Sequence, residues 1–120
     1  CSNDIRDKFS HTSVKGNGLL EYPVALITAD EVALAGGKRG GKNSDFYLHT
    51  NSYYWTMTPA SFSSATAYAY MWYVYPNGSL LAWHHVADWH GLRPVINLRS
   101  DVLISSGDGT VDNPFQLKLA

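Results

Sequence analysis

The chain has 120 residues, room for one domain and little more, and its single cysteine cannot form an internal disulfide. A formal net charge of -1 and a pI near 6.5 lack the basic excess that electrostatic nucleic-acid binding requires. No apolar run reaches the roughly 20 residues that span a bilayer, so direct membrane insertion is not expected.

No secretory leader opens the chain. A targeting segment has been removed or belongs to a longer parent, of which residues 1–120 form the C-terminal part as one domain. Cys1 reads as the point where a fragment starts, with a lipidated mature terminus as the alternative. Residues 4–9 have weak helical character, and residues 11–18, rich in Ser, Lys, Gly and Asn, read as a loop. The apolar run Tyr22-Pro23-Val24-Ala25-Leu26-Ile27 then leads into Thr28-Ala29-Asp30-Glu31, a capping box. Thr28 caps a helix over residues 29–35 while Glu31 reaches back to the Thr28 N–H. Ile27 and Val32 occupy the staple positions, and Gly36-Gly37 stops the helix.

Residues 36–45 read as a mobile loop. Gly36-Gly37-Lys38-Arg39-Gly40-Gly41-Lys42-Asn43 is a near miss to a phosphate-binding loop. Asn43 stands where a Ser or Thr hydroxyl would meet magnesium, and the segment follows a helix instead of leading into one. Short β-like runs come next, at residues 46–49, 53–57, 67–75, 80–86, 92–98, 102–104 and 115–119. Turn signals at Pro59, Pro76-Asn77-Gly78, Gly91, Gly107-Asp108-Gly109 and Asn113-Pro114 separate them. Strands gathered after one or two short helices predict an α+β fold of short antiparallel strands, without βαβ units.

Pro76-Asn77-Gly78 suits a three-residue hairpin loop closed by a left-handed glycine. That register pairs Tyr75 with Ser79, Val74 with Leu80, Tyr73 with Leu81, Trp72 with Ala82 and Met71 with Trp83. Side chains alternate along a strand, so Trp72, Val74, Leu80, Ala82 and Val86 face the core. Met71, Tyr73, Tyr75, Leu81, Trp83 and His85 take the other side. A one-residue slip would exchange the faces.

Tyr and Trp concentrate between Tyr53 and Trp89, and both residue types serve cores and contact surfaces alike. The candidate ligand-binding residues are Tyr73, Tyr75, Trp83, His85, Asp88, Trp89 and His90. No metal site is expected, because adjacent His84 and His85 point to opposite faces of an extended strand and do not readily join one zinc centre. Gly107-Asp108-Gly109-Thr110 with Asn113-Pro114 reads as hairpin chemistry and lacks the spacing of a calcium loop. Arg93, inside an apolar strand, needs a partner, and Asp30 or Glu31 on the capped helix are the candidates.

Taken in order, the segments Leu26-Ile27-Thr28-Ala29-Asp30-Glu31-Val32, Tyr54-Trp55-Thr56-Met57-Thr58-Pro59, Gly91-Leu92-Arg93-Pro94-Val95-Ile96-Asn97-Leu98 and Gly107-Asp108-Gly109-Thr110 resemble a family of bacterial and phage surface domains of unknown function. The resemblance runs from about residue 18 to 119. It implies a C-type-lectin-like fold in its formylglycine-generating-enzyme-like form, shared with the variable proteins of diversity-generating retroelements. It further implies an extracellular, cell-surface or phage location and non-catalytic recognition of a protein or glycan ligand, with no cofactor. Formylglycine-generating oxidases depend on cysteine chemistry, for which Cys1 alone is inadequate. A structural domain of a fibre or adhesin stalk is the first alternative. An enzyme of unidentified type, with His85 and Asp88 as its most suggestive pair, is the second.

Overall fold

The computed structural model describes residues 9–10, 18–98, 100–110 and 112–120. The expectations for Cys1, for residues 4–8 and for the loop at 11–17 lie outside these residues. Phe9–Ser10 form a short strand, β1, not the end of a helix, paired in parallel with β2 at Gly18–Leu19. Strand β3 (Val24–Leu26) runs into helix α1 (Ala29–Leu34) through the expected capping box. The Glu31 N–H donates to Thr28 Oγ1 at 3.2 Å, and the Thr28 N–H donates to Glu31 Oε2 at 2.8 Å. At the other end, the Gly37 N–H donates to the Val32 carbonyl and that of Gly36 to Ala33, the crossed pair of a Schellman stop.

The main sheet has four strands in the order β4-β7-β6-β5, formed by Lys38–Arg39, Ser79–His85, Tyr68–Val74 and Tyr54–Ser63. Helix α1 packs on it. Ile27, Ala29, Val32, Phe46, Tyr54, Val74 and Leu80 form the buried core between them. A fully buried Val or Leu contributes roughly 1.5–3 kcal/mol, so this short helix is held by its apolar face far more than by its six residues of backbone. Two further antiparallel pairs complete the strands: β3 with the sequence-distant β8 (Pro94–Ile96), and β9 (Val102–Ser106) with β10 (Gln116–Leu119). The chain is therefore α+β, mostly antiparallel strands with one short helix among the described residues. Among the described residues no helix is long and apolar enough to cross a membrane.

Several local expectations are corrected. Residues 46–49 make a turn, closed by the His49 N–H donating to Phe46, because Phe46 is drawn into the core. Pro59 lies inside β5 instead of ending it. Its missing N–H is tolerated because β5 is an outer strand whose pairing to β6 is bulged on both sides of Pro59. The segment 36–45 is tied down. Its Lys38–Arg39 pair in parallel with Ser79 and Leu80, Ser79 Oγ donates to the Gly41 carbonyl, and the Asn43 N–H donates to Asn77. Asn43 also donates its side-chain amide to Gly36 at 2.7 Å, so it staples the loop to itself.

Arg93 has a different partner from the one expected. Its guanidinium donates to the Leu48 carbonyl and lies 5.3 Å from the Tyr54 ring centroid. The Tyr54 hydroxyl donates to the same carbonyl at 3.1 Å. Glu31 is committed to Thr28, Asp30 forms no ion pair with Arg93 among the described residues, and the arginine rests on a backbone acceptor and an aromatic face. Burial raises the Tyr54 phenol above its ordinary value, and the neighbouring Arg93 partly offsets that rise.

Candidate functional site

The β6–β7 hairpin turns as its residues dictate. The Gly78 N–H donates to Tyr75, the Tyr75 N–H donates to Ser79, and Val74 and Tyr73 oppose Leu80 and Leu81. The register then slips: Met71 opposes His84 and Tyr70 opposes His85. Two steps on β6 match three on β7, which is a β-bulge, and alternation changes parity beyond it. Trp83 therefore leaves the Tyr73 side of the sheet and His84 takes its place. The facing expected for Trp83 and His85 is corrected by this one inserted residue.

The consequence is a cluster of rings centred on Tyr73, which is 2% exposed. His84 stacks on it at 4.3 Å and 17°, and Trp55 meets it edge-on at 6.0 Å. Tyr53 stands 4.9 Å from Tyr75 in an edge contact, and His90 stacks on Trp55 at 4.2 Å and 19°. His90 is delivered there by Gly91. The Gly91 N–H donates to Tyr53 and its carbonyl accepts from Trp55, both at 3.0 Å. A Cβ on Gly91 would sit 2.9 Å from the Tyr53 carbonyl, so close approach of the two backbones needs glycine here.

The two histidines of the cluster are joined, with His84 Nδ1 2.7 Å from His90 Nε2. His90 Nδ1 lies 2.6 Å from the Trp89 carbonyl, which only accepts, so Nδ1 carries the proton. In the neutral pair His90 Nε2 is then the acceptor and His84 Nδ1 the donor, which settles both tautomers. Burial, seconded by His90, holds His84 below the usual imidazole range. Burial raises the Tyr73 phenol, and the Tyr75 side chain beside Tyr53 raises that one. The shifts of His84, Tyr73 and Tyr53 all favour the uncharged form.

The expected site residues are distributed over three places. Tyr73, Tyr75 and His90 belong to the cluster. Trp83, 71% exposed, lines a separate cavity with Trp72 and Arg39, whose guanidinium lies over the Trp72 ring. His85 and Asp88 form a third group: the His85 N–H donates to Asp88 Oδ2 at 3.0 Å, and His85 Nδ1 lies 3.2 Å from Asp88 Oδ1. The His85 ring packs at 4.5 Å against Tyr68. This pair closes the turn that carries Trp89, which is 98% exposed. Among the described residues, no group of three His, Cys, Asp or Glu side chains is placed to hold a metal ion.

Beside the cluster runs an open groove in two basins. One, of about 510 Å³, is lined by Tyr75, Asn77, His49, Lys42 and Asp45 among others. The other, of about 550 Å³, is lined by Tyr53, Trp89, His90 and Ser52. Asn51 and Pro76 line both. Each volume falls within the roughly 300–1,000 Å³ of small-molecule sites. Tyr53, Trp55, His84 and Asn51 were not among the expected site residues. Tyr53 and Trp55 share the spacing of Tyr73 and Tyr75, a signal that was legible. His84 and Asn51 depend on the bulge and on a left-handed loop residue, which were not.

Compared with protein-family models, curated proteins and solved structures, the chain has no match.

Proposed function

We propose that this chain is a non-catalytic recognition domain, displayed on a cell surface or phage particle, which binds its ligand along the groove beside Tyr53, Tyr75 and Trp89. The observation that carries this reading is the setting of Trp89. A tryptophan 98% exposed stands on a turn anchored on both sides, by the His85–Asp88 bonds before it and the Gly91–Tyr53 bonds after it. Rigid, exposed Trp and Tyr offer contact area at small entropic cost, and such residues dominate binding hot spots. The rings packed behind it join Tyr53, Trp55, Tyr73, His84 and His90 into one platform. The resemblance to C-type-lectin-like surface domains is consistent with this reading, since an α+β scaffold carrying loop-borne aromatics is what that fold would present.

The test is binding of the labelled chain to a panel of bacterial and host cells, alongside Trp89→Ala and Trp83→Ala variants shown to be folded by circular dichroism. Trp89→Ala should weaken binding at least ~10-fold, the scale of an interface anchor. Trp83→Ala, altered in a separate cavity, should leave it within ~2-fold. Binding indifferent to Trp89, or none to any cell type, would count against recognition through this groove.

A further inference from the structure

The recognition reading leaves the ligand open, and the groove narrows it. We propose that the groove binds a neutral oligosaccharide, lying across Asn51 and Pro76 with at least one sugar unit in each basin; this rests on the recognition reading above.

A pyranose ring presents an apolar C–H face and a rim of hydroxyls, each able to donate and to accept. The groove offers both complements. Trp89 and Tyr53 supply flat aromatic surface in one basin and Tyr75 in the other. Asn51 and Asn77 supply amides, which likewise donate and accept. Asn77 Oδ1 accepts from the Ser79 N–H at 3.0 Å, which orients the amide and leaves its NH₂ uncommitted among the described residues. The Asn51 amide has no hydrogen bond among the described residues. His49 Nε2 lies 2.8 Å from the Pro76 carbonyl and so must donate to it, which leaves Nδ1 of the neutral ring as an acceptor.

Other ligand classes fit less well. Among the described residues, not one Leu, Ile, Val, Met or Phe lines either basin, so the aliphatic groove that an amphipathic helix or a lipid chain would need is missing. Lys42 and Asp45 contribute one charge of each sign, so phosphates and nucleic acids find no net positive field. The two basins meet at Asn51, whose φ of +54° is left-handed. Asparagine adopts that conformation readily, and it sets the Asn51 residue at the junction that a ligand spanning both basins would cross.

The experiment uses the full chain in two arms. In the first, cellotriose, chitotriose, xylotriose and mannotriose are titrated and followed by ligand-observed NMR, with Trp89→Ala and Asn51→Gly as variants. Asn51→Gly keeps the left-handed backbone available and removes only the amide. At least one trisaccharide should bind, and each variant should weaken it ~10-fold or more. In the second arm, cells from the binding panel are treated with periodate, which cleaves sugar diols, or with protease. Loss of binding after periodate supports an oligosaccharide, even of a type outside the four probes. Binding that survives periodate and is lost after protease, with no trisaccharide bound, overturns the oligosaccharide while leaving recognition standing. No trisaccharide bound and no cell bound overturns both. A trisaccharide that binds equally to wild type and both variants places the site elsewhere and overturns the groove.

Discussion

At Gly78 a missing side chain holds two segments together. Its φ is +81°, and a Cβ there would sit 1.8 Å from the Asn43 carbonyl oxygen. The hairpin turn and the 36–45 segment touch backbone to backbone at this point, which only glycine permits. Gly78→Ala adds left-handed strain to a steric clash, and we expect a loss of about 3 kcal/mol in urea unfolding. A loss under about 1 kcal/mol would mean that the two segments part easily. Arg93 makes a second case. Arg93→Met keeps the stem and removes the donor to Leu48, so stability should fall by about 1–2 kcal/mol. The Tyr54 phenol should also ionise at higher pH, because the cation that opposes its burial is gone. An ultraviolet titration in which the buried phenol moves down or not at all would contradict the assigned geometry.

At the scale of elements, α1 is held at its start by two side chains of different origin. Thr28 supplies the local cap, while Thr58 Oγ1, on β5 and buried, accepts the Ala29 N–H at 2.8 Å. Thr28→Ala should cost about 1 kcal/mol. Thr58→Val should cost about 2 kcal/mol, since it leaves a buried N–H without an acceptor. Equal, negligible losses would show that water caps the helix in place of either. The Thr28 cap was legible because it is written within four consecutive residues. The Thr58 cap was not, because 29 residues separate its partners. The hairpin divides in the same way. Its turn and first pairs follow from Pro76-Asn77-Gly78, whereas the bulge that puts His84 in place of Trp83 has no turn or glycine signal of its own in the chain.

Over the whole molecule, the ring cluster couples stability to pH. His84 titrates below its ordinary value because burial and His90 disfavour its cation, with Asp88 opposing and His85 adding to the shift. The unfolded chain therefore binds more protons than the folded one below the unfolded pKa of about 6.5. This contribution is fully present above that value and is lost as pH falls through it toward the lower folded pKa. The urea midpoint should drop between pH 7.5 and 5.5, and His84→Phe, which retains a stacking ring, should drop less over that interval. An identical drop in the variant would place the pH dependence in other groups.

Sequence alone determined the α+β class, the helix with its cap and stop, the three-residue hairpin loop and the concentration of Tyr and Trp. Each is written in neighbouring residues, through capping groups, turn residues or alternation, and needs no knowledge of distant partners. Only the tertiary structure decided that His84 and not Trp83 faces Tyr73, that Arg93 answers to Leu48 and Tyr54, and that the 36–45 segment edges the sheet. It alone brought Asn51, Tyr75 and Trp89 around one groove. These arrangements rest on contacts between residues far apart in the chain, where a single bulge reverses every facing beyond it.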